Sequence, residues 1–333
     1  MIRRLPCFRR FFAHVDDHRP LLALGMILAL AWGCAQAQNY PSRQVRMIIP
    51  AGPGGGVDTI ARTVGAALAP LLGQAMVMDN RPGAGTMLAS ELTAKAPADG
   101  HTLLMVTNSH AINAGLHKEL RYDPVDDFSF VTLVASVPYW IVIHPSVPVK
   151  NVRELIALAK RRPGDLYFAS AGSGSGTHLA FELFQSSAGI RLTHVPYKSG
   201  TAALVDLVGG HVQLMASNTI NSRPHVRAGR LRALAMTTAK RTALHPDVPT
   251  VSESGLPGYQ ADAWYGVLGP AKMPSTIVVR LNRDIVGILK SDDMRSKLET
   301  QGAEAMPTTP EAFAQLMKND IAKWSAVVSK LNL

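Results

Sequence analysis

A glycine-rich turn between a strand pattern and a helix pattern constrains the fold of this chain more than any other feature. In VRMIIPAGPGGGVDTIARTVG, residues 45–65, an apolar and β-branched run ends at Pro50, and glycines occupy four of positions 52–56. Apolar residues then recur at helical spacing, at Ile60, Val64 and Leu68. A buried strand that turns through glycines into a helix is typical of a parallel α/β sheet, and it makes the helix N-terminus a site for anions.

The strand–turn–helix unit recurs later in the chain, which predicts two lobes of similar build. The predicted strands are residues 45–50, 75–80 and 102–107 in one set and residues 166–171, 192–197 and 212–218 in the other. In the second set, the first two strands run into GSGSGTHLAFELF and KSGTAALVDLVGG. Ligands bind beyond the carboxyl ends of parallel strands, so the turns PAGPGGGVD and SAGSGSGTH are expected to line opposite sides of one cleft.

Two long apolar stretches are expected to connect the lobes. FSFVTLVASVPYWIVIHP, residues 128–145, is unusually long for one strand, and YQADAWYGVLGP, residues 259–270, resembles its second half. Helices from Ser275 and from Thr309-Pro310, a cap with proline at the first helical position, would return to the first lobe. The predicted limits are residues 38–138 with 262–333 for lobe one and residues 139–261 for lobe two.

Residues 1–37 have the three regions of a secretory signal peptide: clustered arginines, an apolar core at 21–31, and a small-x-small site ending at Ala37. The alternative is an N-terminal membrane anchor, but a span needs ~20 apolar residues. Cys34 raises a lipoprotein alternative, although Trp32 stands where a small residue is expected. Cleavage after Ala37 predicts an exported protein without cysteine, and therefore without disulfide or metal–thiolate chemistry.

The charge balance favours a small anionic ligand and argues against nucleic acid. Once the leader's five arginines and two aspartates are subtracted, the chain retains 29 Lys and Arg against 22 Asp and Glu, a net charge of +7. A weakly positive field attracts small anions. Nucleic acid is not expected to be a partner, because the basic residues are scattered and only 6% of residues are aromatic.

Competing motifs fail at specific positions. A phosphate-binding Walker loop needs Lys followed by Ser or Thr, but Gly56 is followed by Val57 and Asp58. Thr177 stands where a dinucleotide-binding fingerprint needs its third glycine, and no Ser has the flanking glycines of a hydrolase elbow. The histidines lack metal-binding spacing. We therefore expect no metal and no cofactor.

Seven segments together resemble one known family. They are YPSRQVRMIIPAGPGGGVDTIARTVG, NRPGAGTMLAS, PADGHTLLM, SAGSGSGTHLAFELF, HVPYKSGTAALVDLVGGHVQLM, LRALAMTT and HPDVPTVSESGLPGY. In this order they are similar to the extracytoplasmic solute receptors of tripartite tricarboxylate transporters, the Bug or TctC-like family, over the whole mature chain.

The resemblance implies a two-lobed α/β periplasmic-binding-protein fold (Venus flytrap, type II) with two parallel-type sheets and two interlobe crossovers. It further implies a periplasmic monomer, not inserted in the membrane, that binds a small organic carboxylate. Such a receptor delivers its ligand to the membrane subunits of a transporter and is not an enzyme.

Binding residues are carried over from the family by position. The implied ligand-binding residues are Gly54, Gly55, Gly56, Val57, Asp58, Thr107, Asn108, Ser109, Ser170, Gly172, Gly174, Ser175, Thr177, His178 and Asn218. For Asp58, stabilisation of the helix dipole is the alternative we favour over ligand contact. For His178, a structural role at the helix end is an equal alternative. We expect Tyr197 and Trp264 to serve in core or hinge packing.

The chain departs from the family at two positions of the implied site. Members often carry Phe where this chain has Ala51, and Asp where it has Ser217. A smaller residue 51 could widen the pocket for a larger or aromatic acid, and the loss of the carboxylate would disfavour amino acids. A sensor that signals to a membrane receptor would use the same binding chemistry and stays an alternative, whereas an exported enzyme would need a catalytic cluster that we do not find.

Overall fold

The computed structural model describes residues 40–117, 119–242 and 244–331. The predicted signal peptide and its cleavage site lie outside these residues. Among the helices of the described ranges, none combines the length and the hydropathy that a membrane crossing needs.

The first sheet is built from both ends of the described chain. Its strands are β1 (Val45–Ile49), β2 (Met76–Asn80), β3 (Thr102–Thr107), β4 (Phe128–Val137), β10 (Ala263–Pro270) and β11 (Glu304–Ala305), in the spatial order β11-β4-β10-β3-β1-β2. Strand β1 pairs in parallel with β2 and β3, whereas β10 runs antiparallel to β3 and β4. The helices between or after these strands are α1 (Gly56–Leu72), α2 (Met87–Ala94), α3 (Ser109–Leu116), α8 (Ser275–Lys290), α9 (Asp292–Gln301) and α10 (Pro310–Leu331).

The second sheet comes from the middle of the chain. Its strands are β5 (Tyr139–Ile143), β6 (Tyr167–Ser170), β7 (Thr193–Pro196), β8 (Leu214–Asn218) and β9 (Arg232–Met236), in the order β7-β6-β8-β5-β9. Its helices are α4 (Val152–Arg161), α5 (Gly176–Ala188), α6 (Gly200–Val208) and α7 (Thr219–Arg227). Strand β6 is parallel to β7 and β8, and β5 is antiparallel to β8 and β9.

The two-lobed α/β fold is confirmed, but both sheets are mixed rather than purely parallel. The long stretch at 128–145 is two strands, because Pro138 has no N–H for a ladder and separates β4 from β5. Strand β4 belongs to the first sheet and β5 to the second, so this segment crosses between the lobes. The strands of the first sheet lie within 45–137 and 263–305, and those of the second within 139–236; the lobe limits stay a prediction.

The C-terminal helices complete the first lobe as their patterns predict. Leu281, Ile285 and Leu289 of α8 are fully buried at helical spacing. Helix α10 begins at Pro310, and the Thr309 side chain accepts a hydrogen bond from Ala312 N at 3.2 Å. Its inner face carries the buried residues Phe313 and Trp324, and the Phe313 ring packs against Phe130 of β4 and Trp264 of β10.

Candidate functional site

Among the described residues, six helices begin at one cavity of about 700 Å³ between the two sheets. The cavity is lined by the first residues of α1, α2, α3, α5 and α6 and by the residue that caps α7, which are Gly56, Met87, Ser109, Gly176, Gly200 and Asn218. Each helix N-terminus carries unpaired N–H groups and a partial positive charge. The arrangement therefore concentrates hydrogen-bond donors in one place and favours an anion.

The first side of the cavity is the turn after β1. Gly54 adopts a left-handed conformation with φ of 75°, and Gly55 N donates to Gly52 O at 3.2 Å. Gly55 caps α1 without a side chain. The N–H groups of Gly56 and Val57 have no acceptor in the described part of the chain, and both residues line the cavity. The turn therefore offers backbone donors that a ligand can use.

The opposite side is the turn after β6, which is held by its own hydroxyl groups. Ser175 Oγ donates to Gly172 O at 2.6 Å, and Thr177 Oγ1 accepts from Ala171 N at 2.9 Å. Gly172 has a φ of 115°, a conformation that a residue with a side chain rarely adopts. These bonds fix the conformation of the turn, and Ala171, Gly172, Ser175 and Thr177 all line the cavity.

Asp58 faces away from the cavity and organises the first turn from behind. Its carboxylate accepts from Gly54 N at 2.9 Å, from Arg62 Nε at 2.9 Å and from Asn80 Nδ2 at 2.9 Å. Burial would raise the pKa of Asp58, but these hydrogen bonds outweigh it and hold the pKa below its ordinary value. Asp58 therefore holds the turn together, and the helix-dipole role that we favour for it stays a prediction.

His178 also lies behind a turn rather than in the cavity. Its Nδ1 accepts from Gly174 N at 3.3 Å, and its ring stacks on that of His194 with centroids 4.0 Å apart. His194 Nε2 in turn lies 2.7 Å from Ser170 Oγ. Burial, and then the neighbouring His178, lower the pKa of His194 to about 4, so this ring is neutral near pH 7. The histidine pair supports the second turn from within the lobe.

Most of the predicted site residues line the cavity. The residues that do so are Gly55, Gly56, Val57, Thr107, Asn108, Ser109, Gly172, Ser175, Thr177 and Asn218. Five others, Gly54, Asp58, Ser170, Gly174 and His178, do not belong to the lining. Their side chains or backbone support the turns, because the carboxylate of Asp58, the hydroxyl of Ser170 and the ring of His178 all have partners within their own lobe. Contact of any of these residues with a ligand stays a prediction.

Two further turns also line the cavity, and sequence reasoning did not assign them to it. One is residues 82–87 after β2, and the other is residues 196–201 after β7. Both follow strands of a parallel ladder, so the rule that such loops meet at one sheet edge would have found them. Tyr197 lines the cavity instead of serving only in packing, and its hydroxyl donates to Asp206 at 2.7 Å. Trp264 is buried and donates to Asp320 at 2.6 Å, as expected for a packing residue.

The part of the lining that the structure describes has no acidic side chain and one strong cation. Among the described residues around the cavity none is Asp or Glu, and Lys198 is the single Lys or Arg. Ala51 and Ser217, the two departures from the family pattern, both belong to the lining. Pro50, Val57, Tyr139, Met215 and Tyr265 add apolar surface. A ligand that fits these surroundings has an anionic group and an apolar body.

The two lobes touch across the cavity, so the structure describes a closed arrangement. Gly176 N donates to Ser109 Oγ at 3.1 Å, Asn221 Nδ2 to Gly54 O at 3.0 Å, and Thr219 Oγ1 to Gly302 O at 2.6 Å. A Cβ on Gly56 would lie 2.7 Å from Asn218 Nδ2, closer than non-bonded atoms approach. Glycine at this position therefore allows the backbone of the first lobe to approach the Asn218 side chain of the second lobe.

Comparisons with known proteins agree with this architecture. The model of the tripartite tricarboxylate transporter family receptor matches residues 60–333. Protein BugT of Bordetella pertussis is 37% identical over 314 residues, which cover 93% of this chain and 96% of BugT. The solved structure of R. palustris Rpa4515 with adipate has a TM-score of 0.85 and 37% identity, covering 88% of this chain and 98% of that chain. MatC from Rhodopseudomonas palustris with bound malate has a TM-score of 0.82 and 34% identity, covering 87% and 100%.

Proposed function

This chain belongs to the tripartite tricarboxylate transporter receptor family, and we propose that it captures a small carboxylate between its lobes in the periplasm and delivers it to a membrane permease of that type. The observation that carries the proposal is the convergence of six helix N-termini on one cavity that has no acidic side chain among its described residues. Solved relatives with bound adipate and malate support a carboxylate as the ligand class.

The available donors are sufficient for tight binding without any covalent step. A hydrogen bond to a charged group contributes about 1.5–3 kcal/mol, and a helix terminus adds roughly 0.3–1 kcal/mol. Micromolar affinity needs about 8 kcal/mol in total. The free N–H groups of Gly56 and Val57, together with donors from the opposite turn, can reach this sum after the costs of ordering are subtracted.

We propose binding rather than catalysis, and the position of Ser170 supports this choice. Ser170 Oγ lies 2.7 Å from His194 Nε2, which is the contact of a nucleophile with its base. However, Ser170 is fully buried and does not belong to the cavity lining. This hydroxyl therefore does not face a ligand in the cavity, and it donates to Gly172 O inside the turn at 3.2 Å.

Within the carboxylates, we propose a dicarboxylate with an apolar middle. The backbone donors at Gly56 and Val57 suit one carboxylate, and Lys198, on the turn after β7, suits a second. The apolar side chains in the lining suit a hydrocarbon chain between the two charges. An amino acid is disfavoured because Ser217 offers no carboxylate to an ammonium group.

A thermal-shift panel tests the proposal on the mature protein. The panel contains acetate, hexanoate, succinate, malate, adipate, citrate, benzoate and aspartate, each at equal ionic strength. We expect at least one non-amino dicarboxylate to raise the Tm in a saturable way and aspartate to have a much smaller effect.

The variant Gly55→Leu should lose this shift, because a large side chain at the turn obstructs the approach of a ligand to the backbone. Gly287→Ala is the control, since a Cβ there meets no atom within 4 Å. A wild-type protein that no carboxylate stabilises would refute the proposal. Loss of uptake of the identified acid after deletion of the gene tests the delivery step.

A further inference from the structure

A second cleft lies on the other side of the first glycine turn, outside the carboxylate cavity. It has a volume of about 640 Å³ and takes residues from both lobes. From the first lobe come Gly54 of the turn after β1, Thr59 of α1 and Gln301 of α9. From the second lobe come Asn221, Arg223 and Arg227, all on α7. Whatever occupies this cleft therefore contacts both lobes in their closed arrangement.

The cleft is positively charged and has no acidic partner in the described structure. Arg223 and Arg227 lie one helical turn apart on α7, and neither forms an ion pair with any described Asp or Glu. Arg223 Nη1 donates to the backbone oxygen of Thr300 at 3.1 Å. Burial, and then the charge of Arg227, lower the pKa of Arg223, as expected for two guanidinium groups without a counter-ion.

The amino-acid sequence shows the same excess of positive charge. No Asp or Glu occurs in residues 207–246, and this stretch contains six Lys and Arg residues. Two of the six have other partners, because Arg232 donates to Val149 O and Arg241 pairs with Glu253. The dipole of α7 accounts for Arg227 in the last turn, but it does not account for Arg223 in the middle of the helix.

Two side-chain acceptors in the cleft lack a donor. Asn221 Oδ1 and Gln301 Oε1 are buried without a hydrogen-bond partner among the described residues, although the nitrogen of each amide is bonded. An oxyanion that also carries a hydroxyl group fits both the guanidinium groups and one of these amides, since its oxygens accept from the guanidinium groups and its O–H donates to an amide oxygen. Hydrogen phosphate and hydroxy polycarboxylates have this combination.

Asn221 connects the second cleft with the carboxylate cavity. It lines both, and its Nδ2 donates to Gly54 O of the first turn at 3.0 Å. A ligand that holds Asn221 in this position therefore also stabilises the closed form of the turn.

We propose that this cleft binds a multivalent oxyanion, of the phosphate or hydroxy-polycarboxylate class, which bridges the lobes and stabilises their closed arrangement. The site goes beyond the proposed carboxylate receptor, because none of its described lining residues except Asn221 belongs to the carboxylate cavity. By linkage, the oxyanion and the cavity ligand raise each other's affinity by the same factor.

The test is a titration of the mature protein with phosphate or citrate, followed by Tm and compared with NaCl at equal ionic strength. We expect a saturable rise of about 2–4 °C when the anion is roughly tenfold above its Kd. Arg223→Gln/Arg227→Gln should abolish the rise. Arg191→Gln/Arg230→Gln is the control: it removes the same amount of charge from exposed positions outside the cleft lining, and this variant should show the same rise in Tm as the wild type.

The proposal is overturned if neither anion raises the Tm more than NaCl does. It is also overturned if the control variant loses the rise in Tm as fully as the cleft variant. Should the cleft double variant fail to fold, Arg227→Gln alone, at an exposed position, should weaken anion binding at least threefold, and wild-type affinity in this variant counts against the site. Gly55→Leu separates this proposal from the receptor function, since it should lose the carboxylate shift and keep the phosphate shift.

Discussion

Replacing Gly56 by Ala should oppose closure of the lobes without disturbing either lobe. Gly56 is the first residue of α1, and it approaches Asn218, which caps α7 from the other lobe. A Cβ at position 56 would lie 2.7 Å from Asn218 Nδ2, 2.9 Å from Cγ and 3.0 Å from Oδ1, whereas ordinary contacts are 3.4–4 Å. In the open form this contact does not exist, so the variant should fold with a Tm near that of the wild type.

The loss of affinity expected for Gly56→Ala can be calculated from the cost of displacing the Asn218 side chain. Asn218 Oδ1 accepts from Asn221 N at 3.0 Å, so the side chain can leave only by giving up its capping bond. Loss of a cap costs about 0.5–2 kcal/mol, and overpacking typically costs about 1–3 kcal/mol. A penalty of about 1–3 kcal/mol on the closed form alone corresponds to a loss of affinity of roughly 5–150-fold.

The assay is calorimetric titration with the carboxylate that most stabilises the wild type in the thermal-shift panel. Gly287→Ala is the matched control for a new methyl group in a helix with free space around it. Asn218→Ser shortens the opposing side chain and keeps a capping hydroxyl, so Gly56→Ala/Asn218→Ser should recover most of the affinity lost by Gly56→Ala. Wild-type affinity in Gly56→Ala, or no recovery in the double variant, would show that this contact does not limit closure.

Two further predictions concern the ligand's second charge and the effect of acid. Lys198→Gln should weaken adipate binding about three- to tenfold and change hexanoate binding by less than about twofold, because only adipate carries a second carboxylate to pair with this exposed cation. Lys240→Gln, at another exposed position, is the control. Equal losses of affinity for both acids in Lys198→Gln would contradict the prediction. Burial lowers the pKa of His110 to about 4, below its unfolded value of ~6.5, so the unfolded state binds the proton more tightly. The free energy of unfolding should therefore fall as the pH is lowered from 6.5 to 4, by up to about 1.4 kcal/mol per pH unit. His110→Gln should make this loss shallower in urea unfolding at several pH values, and an unchanged slope would refute the assignment.

The sequence predicted the local elements well because their information is local. The apolar run at 45–49 followed by glycines specifies a strand and a helix start, and the Thr309-Pro310 cap specifies where the last helix begins. Burial at Leu281, Ile285 and Leu289 follows directly from helical spacing. The order of these motifs was also sufficient to identify the family, which the family model and BugT confirm.

The tertiary structure decided which groups face the cavity, because that depends on contacts between residues far apart in the chain. His178 and Asp58 follow glycine turns as a binding residue would, yet their partners His194 and Arg62 hold them behind those turns. Lys198 enters the lining only because β7 lies next to β6 in the second sheet. Pattern and propensity determine the turns themselves, whereas the packing of two lobes determines which atoms of those turns a ligand can reach.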